Sequence, residues 1–136
     1  MANNKRVLFV CVGNACRSQM AEGFARSLGG DVMDAESAGL AAALKIPEET
    51  HIFMAEKNID THDQFPKDLR EMDLSRYQLV INMSGYPLPV SVAAEVREWP
   101  IQDPIFVSEK KFRAIRDEIE QKVKELIGEM RGSFGT

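Results

Sequence analysis

The 136-residue chain has only two cysteines and no excess of positive charge. Its 17 lysines and arginines stand against 21 acidic residues, which gives a net charge of -4 at pH 7. Binding to nucleic-acid phosphates needs a basic face, so this balance argues against nucleic acid as a partner. The two cysteines, Cys11 and Cys16, are too few and too close together for the disulfide framework of a small secreted domain.

Long hydrophobic stretches are missing as well. The apolar run near the N-terminus covers residues 7–12, which is too short for a membrane span or a typical signal-peptide core. We therefore expect a cytoplasmic protein with no membrane partner. The chain length, with 44% hydrophobic residues, suffices for one packed domain. We predict a single domain over residues 1–136, monomeric, with a frayed tail at residues 132–136.

The apolar patterns predict strands and helices that alternate along the chain. Four segments have strand patterns: residues 5–11, 31–38, 77–84 and 96–101. Three segments have helical spacing or helix-start signals: residues 17–28, 47–58 and 112–130. This order predicts an α/β fold of the flavodoxin-like type. It has three layers, a four-stranded parallel sheet in the order 2-1-3-4, and helices on both faces.

The segment that joins the first strand to the first helix carries the strongest chemical signal. We call residues 11–18 the Cys11 loop. The first-turn amides of a helix are unpaired and partly positive, and Gly13 and Asn14 tolerate the left-handed conformation that turns amides inward. Such a hollow binds tetrahedral oxyanions. The residues expected to contact the anion are Val12, Gly13, Asn14, Ala15, Cys16 and Ser18.

Two further side chains give this hollow a reactive character. The planar guanidinium of Arg17 matches two oxygens of a phosphate-like ligand. Cys11 would feel the helix terminus, the inward amides and Arg17, all of which stabilise a thiolate. A thiolate beneath a bound oxyanion is placed for in-line attack on the central atom, and Ser18 is able to donate a hydrogen bond to its sulfur.

Other interpretations of the same residues stay open at this point. A cysteine at the end of a buried strand is often inert core. A tetrahedral zinc site would need Cys11 and Cys16 together with His51 and His62, and we predict neither a metal nor a cofactor. The loop lacks the Gly-Lys-Ser/Thr ending of nucleotide-binding loops and the three glycines of dinucleotide-binding loops.

The sequence Cys-Val-Gly-Asn-Ala-Cys-Arg-Ser of the Cys11 loop resembles the signature P-loop of the low-molecular-weight protein tyrosine phosphatases and of the arsenate reductases that share their fold. Segments 37–39, 58–62, 77–84 and 99–104 follow the order of that family. The resemblance implies that Cys11 is the nucleophile, that Arg17 clamps the anion, and that Asp103 is the general acid on a mobile loop.

Supporting roles are also implied by the resemblance. Asn14, Ser37 and His62 would hold the loop in shape, with an ordinary surface position as the alternative for His62. Cys16 would protect Cys11 by closing a disulfide, with buried filler as the alternative. Phe106 would stack on an aromatic substrate, with core packing as the alternative.

The two branches of the family differ in features that this sequence shares only in part. The residues that follow Ser18 are similar to those of the reductases. The thioredoxin-coupled reductases, however, have two further cysteines after the third strand, and residues 84–96 contain none. Phosphatases often have two tyrosines where Ile105 and Phe106 stand here.

We therefore expect a phosphomonoesterase, specifically a protein tyrosine phosphatase that works through a cysteinyl-phosphate intermediate. Its substrate would be a phosphorylated protein or a small aryl phosphate. Two alternatives stay open. One is an arsenate reductase whose partner is an external, small-molecule thiol or thiol reductant, and the other is a catalytically quiet oxyanion-binding regulatory module.

Overall fold

The computed structural model describes residues 4–135, with side chains through Gly132. Along these residues run seven regular elements: β1 (Lys5–Cys11), α1 (Arg17–Gly29), β2 (Met33–Gly39), α2 (Glu48–Ala55), β3 (Leu79–Asn82), β4 (Glu95–Glu98) and α3 (Glu109–Gly135). The four strands form one parallel sheet in the order β2-β1-β3-β4, which confirms the predicted topology. No helix within residues 4–135 is both long enough and apolar enough to cross a membrane.

Strand β1 is the centre of the core because both of its faces are covered. Successive side chains of a strand point to opposite faces. Val7 and Phe9 lie in a cluster with apolar residues of α1, α2 and α3. Leu8 and Val10 lie in a second cluster that contains Leu69. That second face is covered by two one-turn 3₁₀ helices, Leu69–Glu71 and Leu74–Arg76, so the α-helices and the 3₁₀ helices take opposite faces.

Element ends differ from the sequence predictions at several places. Strand β4 ends at Glu98, before the Trp-Pro pair, so the segment that continues to Ile101 is not part of the sheet. Helix α3 continues through Gly135 and thus includes most of the predicted tail 132–136. Its last turns are anchored by buried Ile127 and Met130, and Thr136 lies outside the described residues.

The sheet register brings the predicted site to one edge. Cys11, the last residue of β1, pairs with Gly39, the last residue of β2. Helix α1 begins at Arg17, so the Cys11 loop lies beyond the carboxyl ends of the parallel strands. This is the edge at which open α/β sheets bind ligands.

Candidate active site

The backbone of the Cys11 loop is held by a neighbouring segment. The carbonyl groups of residues 11–13 accept hydrogen bonds of 2.8–3.0 Å from amides of the segment 40–43. In a planar trans peptide the carbonyl and the following N–H point in opposite directions. The amide hydrogens of residues 12–14 therefore point away from that segment, and they are available to an anion.

The left-handed residue of the loop is Asn14, with φ of 52°. Gly13, which appeared equally suited from its sequence, does not have a positive φ. Asparagine is one of the few residues other than glycine that adopts this conformation at low cost. The turn that gives the loop its shape thus depends on a side chain that also makes hydrogen bonds.

A chain of hydrogen bonds from Asn14 leads to the sulfur of Cys11. The backbone amide of Lys67 donates to Asn14 Oδ1 over 2.8 Å, which fixes Nδ2 on the other side. Asn14 Nδ2 donates to Ser18 Oγ over 2.8 Å. Ser18 Oγ lies 2.9 Å from Cys11 Sγ. Because a thiolate only accepts hydrogen bonds, the Ser18 hydroxyl is the group that would donate to the sulfur when Cys11 acts as a nucleophile.

The guanidinium of Arg17 is anchored beside the same sulfur. Its side chain is buried, and Nη1 donates to the carbonyl oxygens of Met83 at 2.7 Å and Ile101 at 3.1 Å. Nη2 lies 3.6 Å from Asp103 Oδ2. The other carboxylate oxygen of Asp103 accepts from the amide of Ile105 at 3.1 Å. Nη1 therefore holds the side chain in place, and Nη2 lies near the half-exposed carboxylate of Asp103.

These groups surround a cavity of about 810 Å³. Cys11 and Arg17 lie in its lining together with several residues of the Cys11 loop, and Asp103 lies there as well. Its apolar walls come from α2 and the residue before it, from the segment before α3, and from the first turn of α3: Pro47, Ile52, Phe53, Pro104, Ile105, Phe106, Val107 and Phe112. Phe106 is 99% exposed and has φ of 59°, so it borders the cavity without packing in the core.

Ser37 supports the loop through a buried acid that the sequence analysis missed. Ser37 Oγ donates to Glu22 Oε1 at 2.5 Å, and it makes no described bond to Asn14. Glu22 Oε2 lies 3.2 Å from Arg26 Nε, and Oε1 lies 3.9 Å from Lys67 Nζ. Burial lowers the pKa of Lys67, although the Glu22 carboxylate opposes this. Lys67 thus connects this buried charge cluster to Asn14.

Gln19 and Gly39 are two further residues without which the loop would have a different shape. Gln19 Nε2 donates to the carbonyl oxygens of Asn14 and Phe65, each at 3.0 Å. A Cβ on Gly39 would lie 2.7 Å from Val12 O and 2.8 Å from the amide nitrogen of Asn14. Only a glycine fits here, and its sequence signals were the end of a strand pattern and the similarity of segment 37–39 to the family.

His62 lies outside the network that the resemblance assigned to it. Its side chain is 64% exposed, and its backbone N–H and Nδ1 lie 2.9 and 2.8 Å from Asp60 Oδ1. Its neighbour Thr61 is fully buried and lies 2.6 Å from Nδ1 of His51. The turn that Asp60 stabilises therefore places Thr61 inward and His62 outward. This agrees with the alternative interpretation of His62 as a surface residue.

Cys16 has a different environment from Cys11. It is the residue before α1, and Thr50 Oγ1 donates to its sulfur at 3.4 Å. Burial raises the pKa of the Cys16 thiol to about 11, against the lowering effect of that hydrogen bond. At pH 7 a thiol with this pKa is ionised in only about one molecule in 10⁴. Cys16 is thus a poor nucleophile at neutral pH.

The site combines a cysteine sulfur, backbone amides that point away from segment 40–43, a guanidinium and a carboxylate. This combination is typical of a cysteine-dependent enzyme. Residues 6–88 match the family model described as low molecular weight phosphotyrosine protein phosphatase. The chain belongs to this family, which confirms the resemblance drawn from the Cys11 loop.

Several of its relatives are arsenate reductases by name. The chain is 34% identical to the glutaredoxin arsenate reductase of Synechocystis sp. over 130 residues, which cover 93% of this chain and 98% of the relative. It is 36% identical to an arsenate reductase of Halalkalibacterium halodurans, with 90% and 94% covered. A solved structure of an arsenate reductase in the phosphate binding state has a TM-score of 0.86 at 32% identity, with 93% and 98% covered.

The close approach at Gly39 generates a first prediction. Gly39→Ala is expected to displace the backbone of the Cys11 loop and to weaken binding of inorganic phosphate by roughly tenfold or more, with a loss of about 1–3 kcal/mol of stability. Phosphate affinity is measured by isothermal titration calorimetry. Gly128→Ala is the matched control, because a Cβ there meets nothing within 4 Å. Unchanged phosphate affinity in Gly39→Ala would contradict the prediction.

The raised pKa of Cys16 generates a second prediction, tested in a Cys11→Ser background. Only the thiolate reacts with iodoacetamide, so a raised pKa lowers the rate at neutral pH. We expect Cys16 to react at pH 7 about 10²-fold more slowly than free cysteine, and the rate to rise about tenfold per pH unit from roughly pH 7 to 9. A plateau of the alkylation rate within that range would contradict the prediction.

Proposed function

We propose that the protein is an arsenate reductase that depends on an external thiol. The relatives of 34–36% identity that carry this name support it. The sequence analysis had placed this function second, behind a tyrosine phosphatase. The observation that carries the dependence on an external thiol is the cysteine content: the chain has two cysteines, and both lie in the Cys11 loop.

The site suits the first step of such a reaction. Arsenate is a tetrahedral oxyanion of nearly the same shape and charge as phosphate. The amides of the Cys11 loop and the free edge of Arg17 would hold its oxygens, while Cys11 Sγ attacks the arsenic. A hydroxyl group leaves as water after it takes a proton from Asp103, and a sulfur–arsenic bond replaces it. Arsenic is still As(V) at this stage.

Reduction then needs a second sulfur. An attacking thiolate forms a bond to Cys11 Sγ, the sulfur–arsenic bond breaks, and its electron pair stays on arsenic, which leaves as arsenite. A further thiol resolves the resulting disulfide and returns Cys11 to the thiolate. In sum, one arsenate and two thiols give one arsenite, one disulfide and one water.

Cys16 is poorly suited to supply that second sulfur. Its raised pKa keeps it protonated at neutral pH, and its sulfur is engaged by Thr50. The same property bears on its predicted protective role, because disulfide formation with an oxidised Cys11 also needs its thiolate. An external thiol has access instead, since the cavity over Cys11 is large and its border at Phe106 is exposed.

The test is arsenate-dependent oxidation of NADPH with two thiol systems. One contains glutathione, glutaredoxin and glutathione reductase, and the other contains thioredoxin and its reductase. We expect turnover with the glutathione system, complete loss in Cys11→Ser, and turnover in Cys16→Ser, because an external thiol replaces any internal one. Folding of each variant is checked by circular dichroism.

Three outcomes of this assay would count against the proposal. Absence of arsenate turnover with both thiol systems would remove the reductase function. Loss of turnover in a folded Cys16→Ser protein would make Cys16 the second sulfur, and the external thiol would then serve only to reduce the Cys11–Cys16 disulfide. If the protein binds arsenate but turns over neither arsenate nor aryl phosphates, the result would favour the catalytically quiet oxyanion-binding module.

Hydrolysis of aryl phosphates is a second candidate function, and the apolar walls of the cavity favour it. An aromatic ring attached to the bound phosphate would lie against Ile52 and Phe106, which both line the cavity. Asp103 would protonate the leaving phenolate and then activate water against the cysteinyl-phosphate.

This candidate is tested with Asp103→Asn. The substitution is expected to slow substrates with poor leaving groups by about 10²–10⁴-fold and activated substrates far less, because only the former need a proton. Rates for phenyl phosphate and 4-nitrophenyl phosphate are compared. Glu109→Gln is the control, since Glu109 also lines the cavity but has no assigned part in proton transfer. Equal losses on both substrates would remove Asp103 as the acid.

A further inference from the structure

A cluster of three metal-binding side chains lies apart from the Cys11 loop. Glu48 and His51 are separated by one turn of α2 and share its outer face. His62 approaches them from the segment that follows the helix. One ligand atom from each of the three side chains lies within 4.8 Å of those of the other two. His62 is the residue that was predicted to support the Cys11 loop but lies outside the observed network.

The hydrogen bonds of His62 determine which of its nitrogens is free. Its Nδ1 lies 2.8 Å from Asp60 Oδ1, and an ionised carboxylate only accepts hydrogen bonds. In the neutral ring, Nδ1 therefore carries the hydrogen and Nε2 carries a lone pair. That lone pair lies 4.0 Å from Glu48 Oε1, which is also an acceptor. A proton, a water molecule or a metal ion between these two atoms would each satisfy them, and a metal ion would in addition use the nearby His51.

His51 is held in a compatible way. Its Nδ1 lies 2.6 Å from the hydroxyl oxygen of buried Thr61, which is able to accept a hydrogen bond. Its ring is stacked on that of His62, with centroids 4.2 Å apart and planes 14° from parallel. In metal sites the second nitrogen of a histidine ligand typically bonds an oxygen in this manner, which fixes the orientation of the ring.

We propose that Glu48, His51 and His62 form a binding site for a divalent transition-metal ion of the Zn²⁺ type, separate from the cavity over Cys11. Two imidazoles and a carboxylate are a ligand set that such ions prefer, and three protein ligands leave a fourth position for water. Ligands on tetrahedral zinc are about 3.3 Å apart, given bonds of about 2.0–2.1 Å. The Glu48 side chain is 72% exposed, so its carboxylate is free to rotate toward the imidazoles to reach that separation.

This proposal revises the sequence expectation of no metal, and it differs from the zinc site weighed there. That site required both cysteines, whereas the structure places Cys11 and Cys16 in the cavity lining and the two histidines on the far side of α2. The same helix contributes Glu49, Ile52 and Phe53 to the cavity, so a metal ion would lie behind one cavity wall.

The experiment measures Zn²⁺ binding to the Cys11→Ser/Cys16→Ser protein by equilibrium dialysis, because free thiols would otherwise compete for zinc. We expect one equivalent bound, with affinity reduced roughly tenfold or more in His62→Asn and in Asp60→Ala, which removes the oxygen that orients His62. The visible spectrum of bound Co²⁺ reports the coordination geometry. His62 is exposed, so its variant is expected to fold even if His51→Asn does not.

Glu49→Gln is the matched control for Glu48→Gln, since the two acids are neighbours on α2 and only Glu48 belongs to the cluster. Glu49→Gln is expected to bind zinc as tightly as its parent, and Glu48→Gln is expected to bind it more weakly. The proposal is overturned if the double-cysteine variant takes up no zinc, or if His62→Asn binds zinc as tightly as its parent. It makes no use of the arsenate reaction, so either can fail alone.

Discussion

The orientation of three peptide groups decides what this protein is able to bind. The carbonyl groups of residues 11–13 are held by amides of the segment 40–43, and this turns the following N–H groups to the other side. The arrangement requires that the end of β2 approach the loop backbone at Gly39, where no Cβ has room. A positive hollow at the sheet edge is thus a consequence of backbone pairing, and the charged side chains add to a field that the backbone has already set.

Charge compensation around the hollow follows the rule that buried charges need partners. The carboxylate of Glu22 contacts Ser37, Arg26 and Lys67, so these neighbours compensate its negative charge. Arg17 has two carbonyl oxygens on one nitrogen and Asp103 near the other. Two neutral carbonyls and one half-exposed carboxylate compensate a guanidinium only in part. A bound oxyanion would complete the set, which supports the proposed binding of arsenate or phosphate.

Much of the fold could be predicted because its signals are local. The continuous apolar run of β1, the change to helical spacing after Arg17 and the long stripe of α3 fix three elements and the parallel topology. The resemblance of the Cys11 loop correctly implied the family. Glu22, Gln19 and Lys67 could not be found in this way, because their importance depends on burial and on contacts over 15 to 53 residues. His62 was placed by resemblance alone, and its outward direction depends on the turn at Asp60.

Phosphatase and reductase chemistry share the bond from Cys11 to the central atom and differ in what cleaves it. Water activated by Asp103 would attack phosphorus, whereas a thiol must reach the sulfur itself. The polar groups at the floor of the cavity are the same for both reactions, so they do not choose between them. The choice lies at the border, where Ile105 and Phe106 are exposed, while Cys11 lines the same cavity and is only 3% exposed. Because burial raises the pKa of the Cys16 thiol, the proposed reduction takes its second sulfur from an external thiol that enters through the cavity.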